Sequence, residues 1–393
     1  MMDLMLRALP LVFLLASTLT GQARVVRVAG ETFKIVLLAD GSVMGWGDGR
    51  DGQLGPAVTS YSSPPVTIAL PGKAIDIAAG EATAYALLES GAVLAWGRGR
   101  NGELGTGQPA VASSPTPVAV AGVAGAVRID AYGKAAFAVT RDGAVMAWGG
   151  RKWGMIGDGQ HPKRYLEDGQ PAYSPVRVPG LAKIARVSAG PGHVLALSED
   201  GRVYSWGSNT HGALGRAPRQ ELPMDLPGEV PGLAGVAAIA AGNGVSTVLK
   251  RDGTVWVWGA NWFGQFGNGE RTDPPGTESG WELAPRPVKG IAGATAISVG
   301  QTGRHTLVLM KDGTVRGWGG SDWGQVGAGV LGDYNLRPAA LKLPGVRDVF
   351  AVGRSGFAVT ADGALWEWGA GGRYEWPFKK DTGVPAKVEL PGK

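Results

Sequence analysis

The side chains that could do chemistry at neutral pH are few in this sequence and lie far apart. It contains 4 histidines and no cysteine, which disfavours a zinc site, because such sites use cysteine and histidine at short, fixed spacing. His193 and His305 lie in short apolar segments, and no two histidines are at ligand spacing. We therefore expect no metal site, no cofactor and structural roles for these two histidines.

Two glycine-rich segments match the Gly-x-Gly-x-x-Gly pattern of nucleotide-binding loops: GDGRDG from Gly47 and GRGRNG from Gly97. A dinucleotide site also needs a helix that begins at the motif and an acidic residue on the next parallel strand. Neither segment opens a helical pattern, so we interpret both as turns. Nothing singles out one catalytic pair of carboxylates among the 33 acidic residues. The sequence therefore predicts no catalytic residue and a protein that is not an enzyme.

The strongest organising feature of the chain is a repeat. An apolar run ends in Trp-Gly seven times, at intervals of 50 to 60 residues. A recurrence of this length indicates stacked or radial copies of one supersecondary unit. The tryptophans are Trp46, Trp96, Trp148, Trp206, Trp258, Trp318 and Trp368.

Each repeat predicts four short β-strands. The second and third are joined by Asp-Gly in six repeats and by Ser90-Gly91 in the remaining one, a hairpin signal that predicts a type I′ turn. The third strand carries the tryptophan, and we expect each indole to be wedged between neighbouring sheets. The fourth strand is bordered by proline in most repeats, which is typical of a sheet edge.

Seven units of four antiparallel strands predict an all-β fold, a seven-bladed β-propeller, because radial repetition avoids a single overlong sheet with exposed edges. The 66 glycines among 393 residues, about twice the usual share, agree with a fold of many turns. An open solenoid is the alternative on strand count alone. The pattern also leaves open where the blade boundary falls, and so whether the two terminal segments share one blade.

Each repeat combines a small residue and Gly, an apolar strand, Asp-Gly, Trp-Gly and an element of the form Gly-x-Leu-Gly. This composite pattern resembles the regulator-of-chromosome-condensation repeat. The resemblance covers essentially residues 24–393 and implies a propeller that binds another protein through its loops. The seventh repeat departs from it, because AGGRYEWPFKK after Gly369 contains no such element. In the other repeats the element begins at Gly52, Gly102, Gly154, Gly212, Gly264 and Gly324.

The N-terminal segment has the features of an export signal. Arg7 precedes the apolar run from Ala8 to Leu19, and Gly21 and Ala23 place small residues at a cleavage site. We expect residues 1–23 to be a signal peptide and residues 24–393 to be the propeller of an exported bacterial family member. The mature protein would be periplasmic or extracellular, without stable membrane insertion. An N-terminal membrane anchor is the alternative.

Basic residues follow the first three tryptophans of the repeat. The position four residues after each tryptophan is Arg50, Arg100 and Lys152, and Arg98 lies beside them. Equivalent positions become neighbours around a ring, so these residues predict a positive arc that suits an acidic partner. A solvated face is the alternative. The net charge of +5 and the absence of a long basic run give no support for nucleic-acid binding.

Several aromatic residues have no counterpart in the other repeats: Trp262, Trp281, Tyr334 and Trp376. Packing periodicity does not explain them, and aromatic residues on loops of a rigid scaffold are typical of binding hot spots. The alternative is that the loops fold back and bury these rings.

These observations predict a monomeric, non-catalytic scaffold that binds another protein through loops on one face. Two alternatives remain open. The first is glycan or cell-wall binding, in which Trp262, Trp281 and Trp376 stack on sugar rings. The second is an unrecognised hydrolase with its site at the central channel.

Overall fold

Seven four-stranded antiparallel sheets make up the computed structural model, each from four consecutive strands. It describes residues 24–109, 111–161, 169–216, 224–272, 281–302, 304–329, 331–370 and 381–391. The helix in these ranges is a 3-10 turn, Lys152–Gly154. The predicted all-β, seven-bladed propeller is confirmed. We number the sheets as blades 1 to 7 in chain order.

The first and second strands of each blade form its inner half. The first strands are β1 Val25–Gly30, β5 Ala74–Ala79, β9 Ala126–Tyr132, β13 Ile184–Ala189, β17 Val236–Ala241, β21 Ala294–Val299 and β25 Val346–Val352. The second strands are β2 Phe33–Leu38, β6 Thr83–Leu88, β10 Ala135–Thr140, β14 His193–Ser198, β18 Val245–Lys250, β22 His305–Met310 and β26 Ser355–Thr360. The second strands are almost entirely buried, because both faces of each sheet pack against neighbouring blades.

The third and fourth strands form the outer half of each blade. The third strands are β3 Val43–Gly47, β7 Val93–Arg98, β11 Val145–Gly149, β15 Val203–Gly207, β19 Val255–Gly259, β23 Val315–Ser321 and β27 Leu365–Gly369. The fourth strands are β4 Val66–Ile68, β8 Ser113–Ala119, β12 Ala172–Arg177, β16 Met224–Glu229, β20 Glu282–Pro287, β24 Asp333–Leu341 and β28 Thr382–Lys387. The fourth strands are the more exposed, as the edge prediction requires.

The ring is closed by packing between the last and first blades. Each first strand contacts the first strand of the next blade, including β25 with β1, which excludes the open solenoid. The strand β28 pairs with β27 of its own blade, so the terminal segments do not share a sheet. A cluster that includes Val25 and Phe357 fills the joint, and Arg347 Nη2 donates to Val25 O at 2.9 Å.

The hairpins between second and third strands have a different turn from the one predicted. In blade 1, Gly41 N donates to Leu38 O and Leu38 N to Ser42 O, both at 2.9 Å, which encloses a three-residue loop. Gly41 has φ +85°, whereas Asp40 is not among the residues with positive φ. The type I′ prediction was therefore wrong, because that turn needs positive φ at two residues and this loop has it only at a glycine bulge.

The seven tryptophans are buried between blades, as predicted. Six of them also form a hydrogen bond that the sequence did not reveal: the indole Nε1 donates to a main-chain carbonyl in the Gly-x-Leu-Gly element of the preceding blade. The bonds run from Trp96 to Gln53, Trp148 to Glu103, Trp206 to Met155, Trp258 to Ala213, Trp318 to Gln265 and Trp368 to Gln325, at 2.7 to 2.9 Å.

In five of the six elements, a Cβ atom on the last glycine would meet the indole of the next blade; at Gly55 it would meet nothing within 4 Å. A Cβ atom on Gly215 would lie 2.6 Å from Trp258 Nε1, and its φ is +64°. Both the close approach and the left-handed backbone therefore select glycine at this position. The Gly-x-Leu-Gly element of one blade and the tryptophan of the next blade thus form the contact between the two blades.

Candidate functional site

The predicted binding residues that the structure describes lie at one end of the propeller. In an antiparallel blade, the loop from first to second strand and the loop from third to fourth strand are at the same end. We call this end the loop face. The short Asp-Gly hairpins lie at the opposite end, which we call the hairpin face. Trp281 and Tyr334 lie just before and at the start of fourth strands, and Arg98 is the last residue of β7. The other described residues of the set, Arg50, Arg100, Lys152 and Trp262, follow third strands.

Two of the four predicted basic residues are neutralised by acidic neighbours. Arg50 forms a two-point contact with Asp48, through Nε at 2.9 Å and Nη2 at 2.7 Å, and its guanidinium carbon lies 3.4 Å from the centre of the Tyr61 ring. Arg98 pairs with Asp51 of blade 1 at 2.8 Å and with Glu81 at 3.2 Å. Arg98 therefore connects blades 1 and 2, which is a structural role.

The other two basic residues keep their charge available to solvent. Arg100 and Lys152 are both exposed. Neither forms an ion pair with any residue that the structure describes. Lys152 lies over the Trp153 ring, with its Nζ atom 5.4 Å from the ring centre. The positive arc is therefore carried by Arg100 and Lys152, on blades 2 and 3.

Two of the predicted aromatic residues meet around a histidine of the neighbouring blade. The ring of His211 lies 4.5 Å from Trp262 and 6.2 Å from Trp281, edge-on in both cases. All three side chains are half-buried. They form an aromatic cluster between blades 4 and 5 and do not form a flat, open platform of the kind that stacks on sugar rings.

A second aromatic group lies one blade further on. Tyr334 contacts Phe263 with ring centres 5.9 Å apart, and the Arg271 guanidinium lies 4.6 Å from the Tyr334 ring centre. The Arg304 guanidinium lies 3.9 Å from the Phe263 ring centre. These rings are therefore held between cations. The remaining predicted aromatic residue, Trp376, lies outside the described residues.

A cavity of about 740 Å³ opens on the loop face between the basic and aromatic sectors. Lys152 and Trp153 line one side, and His211 lines another. The cavity therefore connects two predicted features, the positive arc and the His211 cluster, in one concave surface. A volume of this size is typical of a binding pocket.

The acidic side of this cavity was missed from the sequence. Glu31, Glu81 and Tyr132 line it together with Lys134 and Lys152. Comparing the residue that follows the glycine at or after each first strand would have located this rim. That position is Glu31, Glu81, Lys134, Pro191, Asn243, Gln301 and Arg354.

Burial shapes the ionisation of the acidic side. It raises the pKa of Glu31, although a hydrogen bond with Thr302 and the charges of Lys34 and Arg354 act in the opposite direction. Burial, and then the charges of Glu31 and Glu81, raises the pKa of the Tyr132 hydroxyl. Tyr132 therefore remains a neutral hydrogen-bond donor at physiological pH.

The histidines that the sequence assigned to structural roles are buried. His193 Nε2 is 2.8 Å from Ser246 Oγ, and burial, with a further contribution from His211, lowers its pKa to about 3. His193 is thus neutral at physiological pH. Within the described ranges, no group of three or more potential metal ligands comes together. The same ranges contain no helix with the length and apolar character needed to cross a membrane.

The comparisons with known proteins agree with this architecture. The family model described as "RCC1-like domain" matches residues 120–393, and that of the regulator of chromosome condensation (RCC1) repeat matches residues 40–87 and 90–131. The RCC1 domain-containing protein RUG3, mitochondrial, of Arabidopsis thaliana is 28% identical over 66% of this chain and 55% of its own length. The regulator of chromosome condensation of Homo sapiens is 27% identical over 68% of this chain and 65% of its own.

Solved structures share the fold. Prp20p from Saccharomyces cerevisiae superimposes with a TM-score of 0.75 at 24% identity, covering 91% of this chain and 88% of its own. The human protein WBSCR16 gives a TM-score of 0.75 at 19% identity, covering 89% and 95%. The chain spans about half the length of several curated relatives, and 5% of the human E3 ubiquitin-protein ligase HERC2.

Proposed function

The chain belongs to the regulator of chromosome condensation (RCC1) repeat family, and we propose that it is a non-catalytic scaffold that binds a protein partner through its loop face. The observation that carries this proposal is the cavity of about 740 Å³ with the exposed Lys152 on its rim. A concave site with a charged rim and aromatic walls is typical of a surface that receives a protruding segment of another protein.

The range of activities among the relatives supports a binding role. Their names include a guanine nucleotide exchange factor, an ultraviolet-B receptor and E3 ubiquitin-protein ligases. These activities differ in chemistry, whereas the matched propeller is common to them. Because the match covers 5% of HERC2, ligase activity does not extend to this chain in our proposal.

The charge of the rim favours an acidic partner. Arg100 and Lys152 are exposed and without ion pairs among the described residues, so a partner carboxylate could pair with them at little desolvation cost. Charges at an interface rim mainly accelerate association and set salt dependence. We therefore propose that the partner presents an acidic segment to blades 2 and 3.

Site-specific photocrosslinking in the native host tests which face binds. A photoreactive residue at position 100, 152 or 211 should capture the same protein, whereas positions 141, 251 and 311 on the hairpin face should not. Capture of one protein equally from both faces, or of none from the loop face, would contradict the proposal.

The captured partner allows a quantitative test of the basic rim. We expect the double variant R100Q/K152Q to bind about tenfold more weakly, since two rim ion pairs contribute roughly 0.2–1 kcal/mol each. The variant K311Q, which removes a lysine from the hairpin face, is the control. Equal affinities for these variants would exclude the basic rim as the contact.

Export of the protein is a further part of the proposal. The support is the run from Ala8 to Leu19 after Arg7, with small residues at Gly21 and Ala23. Cell fractionation with mass spectrometry of the N-terminus is the test. A mature chain that begins at Arg24 in the envelope or medium is expected, and an intact chain confined to the cytoplasm would contradict export.

A further inference from the structure

A ring of charged side chains surrounds the central channel near the hairpin face. The seven first strands place one residue each at an equivalent register, opposite the same position of the second strand. In blade order these residues are Arg27, Asp76, Arg128, Arg186, Ala238, Ala296 and Asp348.

Charges alternate around part of this ring. Going from blade 7 to blade 3, the order is Asp348, Arg27, Asp76 and Arg128. Arg27 Nη1 pairs with Asp76 at 2.9 Å. Asp76 also accepts from Ile77 N at 3.0 Å and Ile129 N at 3.3 Å, so its oxygens are occupied by the wall of the channel.

The alternation breaks between blades 3 and 4. Arg128 and Arg186 are adjacent in the ring, and the next two positions are Ala238 and Ala296. Arg128 Nη1 donates to Val127 O at 2.8 Å. Among the described residues, Arg186 forms no ion pair and no hydrogen bond through its side chain. Two guanidinium groups therefore lie side by side where the pattern would place an anion.

A further carboxylate, Asp130, lines a small pocket together with Arg27, Arg128 and Arg186 but forms no ion pair with a described residue. Asp130 accepts from Ala189 N at 2.8 Å, which directs it towards the wall between blades 3 and 4. Burial raises the pKa of Asp130 to about 6. Asp348, whose pKa is also raised by burial, accepts from Val349 N at 2.9 Å. Each of these carboxylates thus accepts from a main-chain donor, and Asp76 also pairs with Arg27.

Space for a ligand is present at this level. A cavity of about 610 Å³ is lined by the whole ring: the three arginines Arg27, Arg128 and Arg186, the carboxylates Asp76 and Asp348, and Ala238 and Ala296. Burial, and then the neighbouring Arg128 and Arg27 guanidinium groups, lowers the pKa of Arg186. The charges of Asp76 and Asp348 act on this pKa in the opposite direction. Arg186 stays protonated because its ordinary pKa is above 12, so a bound anion would relieve the repulsion that remains.

We propose that the channel binds a small multivalent oxyanion between Arg128 and Arg186, with Arg27 as the third cation. Planar guanidinium groups suit phosphate and carboxylate oxygens, which accept paired hydrogen bonds from them. The alanines of blades 5 and 6 leave the room that the anion occupies. This site is at the opposite end of the channel from the loop face and does not depend on the proposed partner binding.

Calorimetric titration of the mature chain at low ionic strength tests this site, with pyrophosphate and citrate as separate probes. Saturable binding of one or both is expected, and the stronger probe identifies the oxyanion as phosphate or carboxylate. The variant R186Q should bind at least tenfold more weakly, as for loss of a charge-assisted hydrogen bond. Absence of binding for both probes would overturn the proposal.

A matched control separates the channel from general surface charge. R141Q removes an arginine from an exposed hairpin of the same face and should leave the affinity unchanged. Thermal unfolding without ligand establishes that R186Q is folded, and R128Q provides a second variant with the same expected loss. Equal weakening by R141Q and R186Q would also overturn the proposal.

Discussion

Six joints between consecutive blades share one construction, and the joint between blade 7 and blade 1 differs from them. In the six, the indole of one blade donates to a carbonyl in the Gly-x-Leu-Gly element of the blade before it. In the closing joint, Trp46 Nε1 is buried without a hydrogen-bond partner among the described residues. Each of the first six repeats therefore supplies the carbonyl that accepts a hydrogen bond from the tryptophan of the next blade. The seventh repeat lacks the element, and no described residue accepts from Trp46.

The closing joint also differs in the side chain opposite its tryptophan. Lys34 is paired in register with Trp46, is 1% exposed and donates from Nζ to Glu31 O at 2.7 Å. In the other six blades this position is occupied by smaller residues: Ala84, Ala136, Val194, Ser246, Thr306 and Gly356. Burial of a lysine adds the desolvation cost of a charged group, which none of these six residues carries. We therefore expect the closing joint to be the least stable of the seven.

The largest expected effect comes from crowding an ordinary joint. G215A places a Cβ 2.6 Å from Trp258 Nε1 at φ +64°, so we expect a loss of about 2–4 kcal/mol in the free energy of unfolding. Gly55 is the matched control, since it has φ +92° and no atom within 4 Å of its Cβ position. G55A should lose about 1 kcal/mol, from backbone strain alone. Urea denaturation measures both, and equal losses would disprove the role of the indole contact.

Removal of the indole N–H should lower the free energy of unfolding more at an ordinary joint than at the closing joint. W96F leaves the carbonyl of Gln53 without its 2.9 Å hydrogen bond, whereas W46F removes a donor that has no partner among the described residues. We expect W96F to cost about 1–3 kcal/mol more than W46F in urea denaturation. If W46F proved as costly as W96F, the two joints would be energetically equivalent and the comparison would fail.

A smaller effect is expected from pH at the closing joint. The pKa of Glu31 is raised in the folded state by burial, so the folded protein binds this proton more tightly than the unfolded chain. Stability should therefore increase as pH falls from above the folded pKa towards the unfolded value. The gain between pH 7 and pH 5 should be larger for the wild type than for E31Q. Identical pH dependence in urea denaturation would exclude Glu31 as the cause.

The sequence predicted the fold well because the fold depends on repeated local features. The tryptophans, the Asp-Gly hairpins and the edge prolines recur with one spacing, and each acts within its own repeat or on its neighbour. The turn type was wrong because Asp-Gly fits both a two-residue turn and a glycine bulge. Only the main-chain hydrogen bonds at Leu38 and Gly41 distinguish these two turns.

The candidate site was harder to predict because its interactions join different repeats. Asp51 and Arg98 come from blades 1 and 2, so counting charges along the chain overstates the positive arc. His211 of blade 4 meets Trp262 of blade 5, and periodicity cannot indicate this contact when neither partner recurs. Comparing equivalent positions around the ring recovers part of this information, as the rim at Glu31 and Glu81 shows.

Native-state hydrogen exchange measured by mass spectrometry is the most direct test of the unequal joints. Amides of β1 and β25, on the two sides of the closing joint, should exchange through an opening of lower free energy than amides of β9 and β13, which flank an ordinary joint. Equal protection of these two pairs of strands, or weaker protection of β9 and β13, would contradict the account.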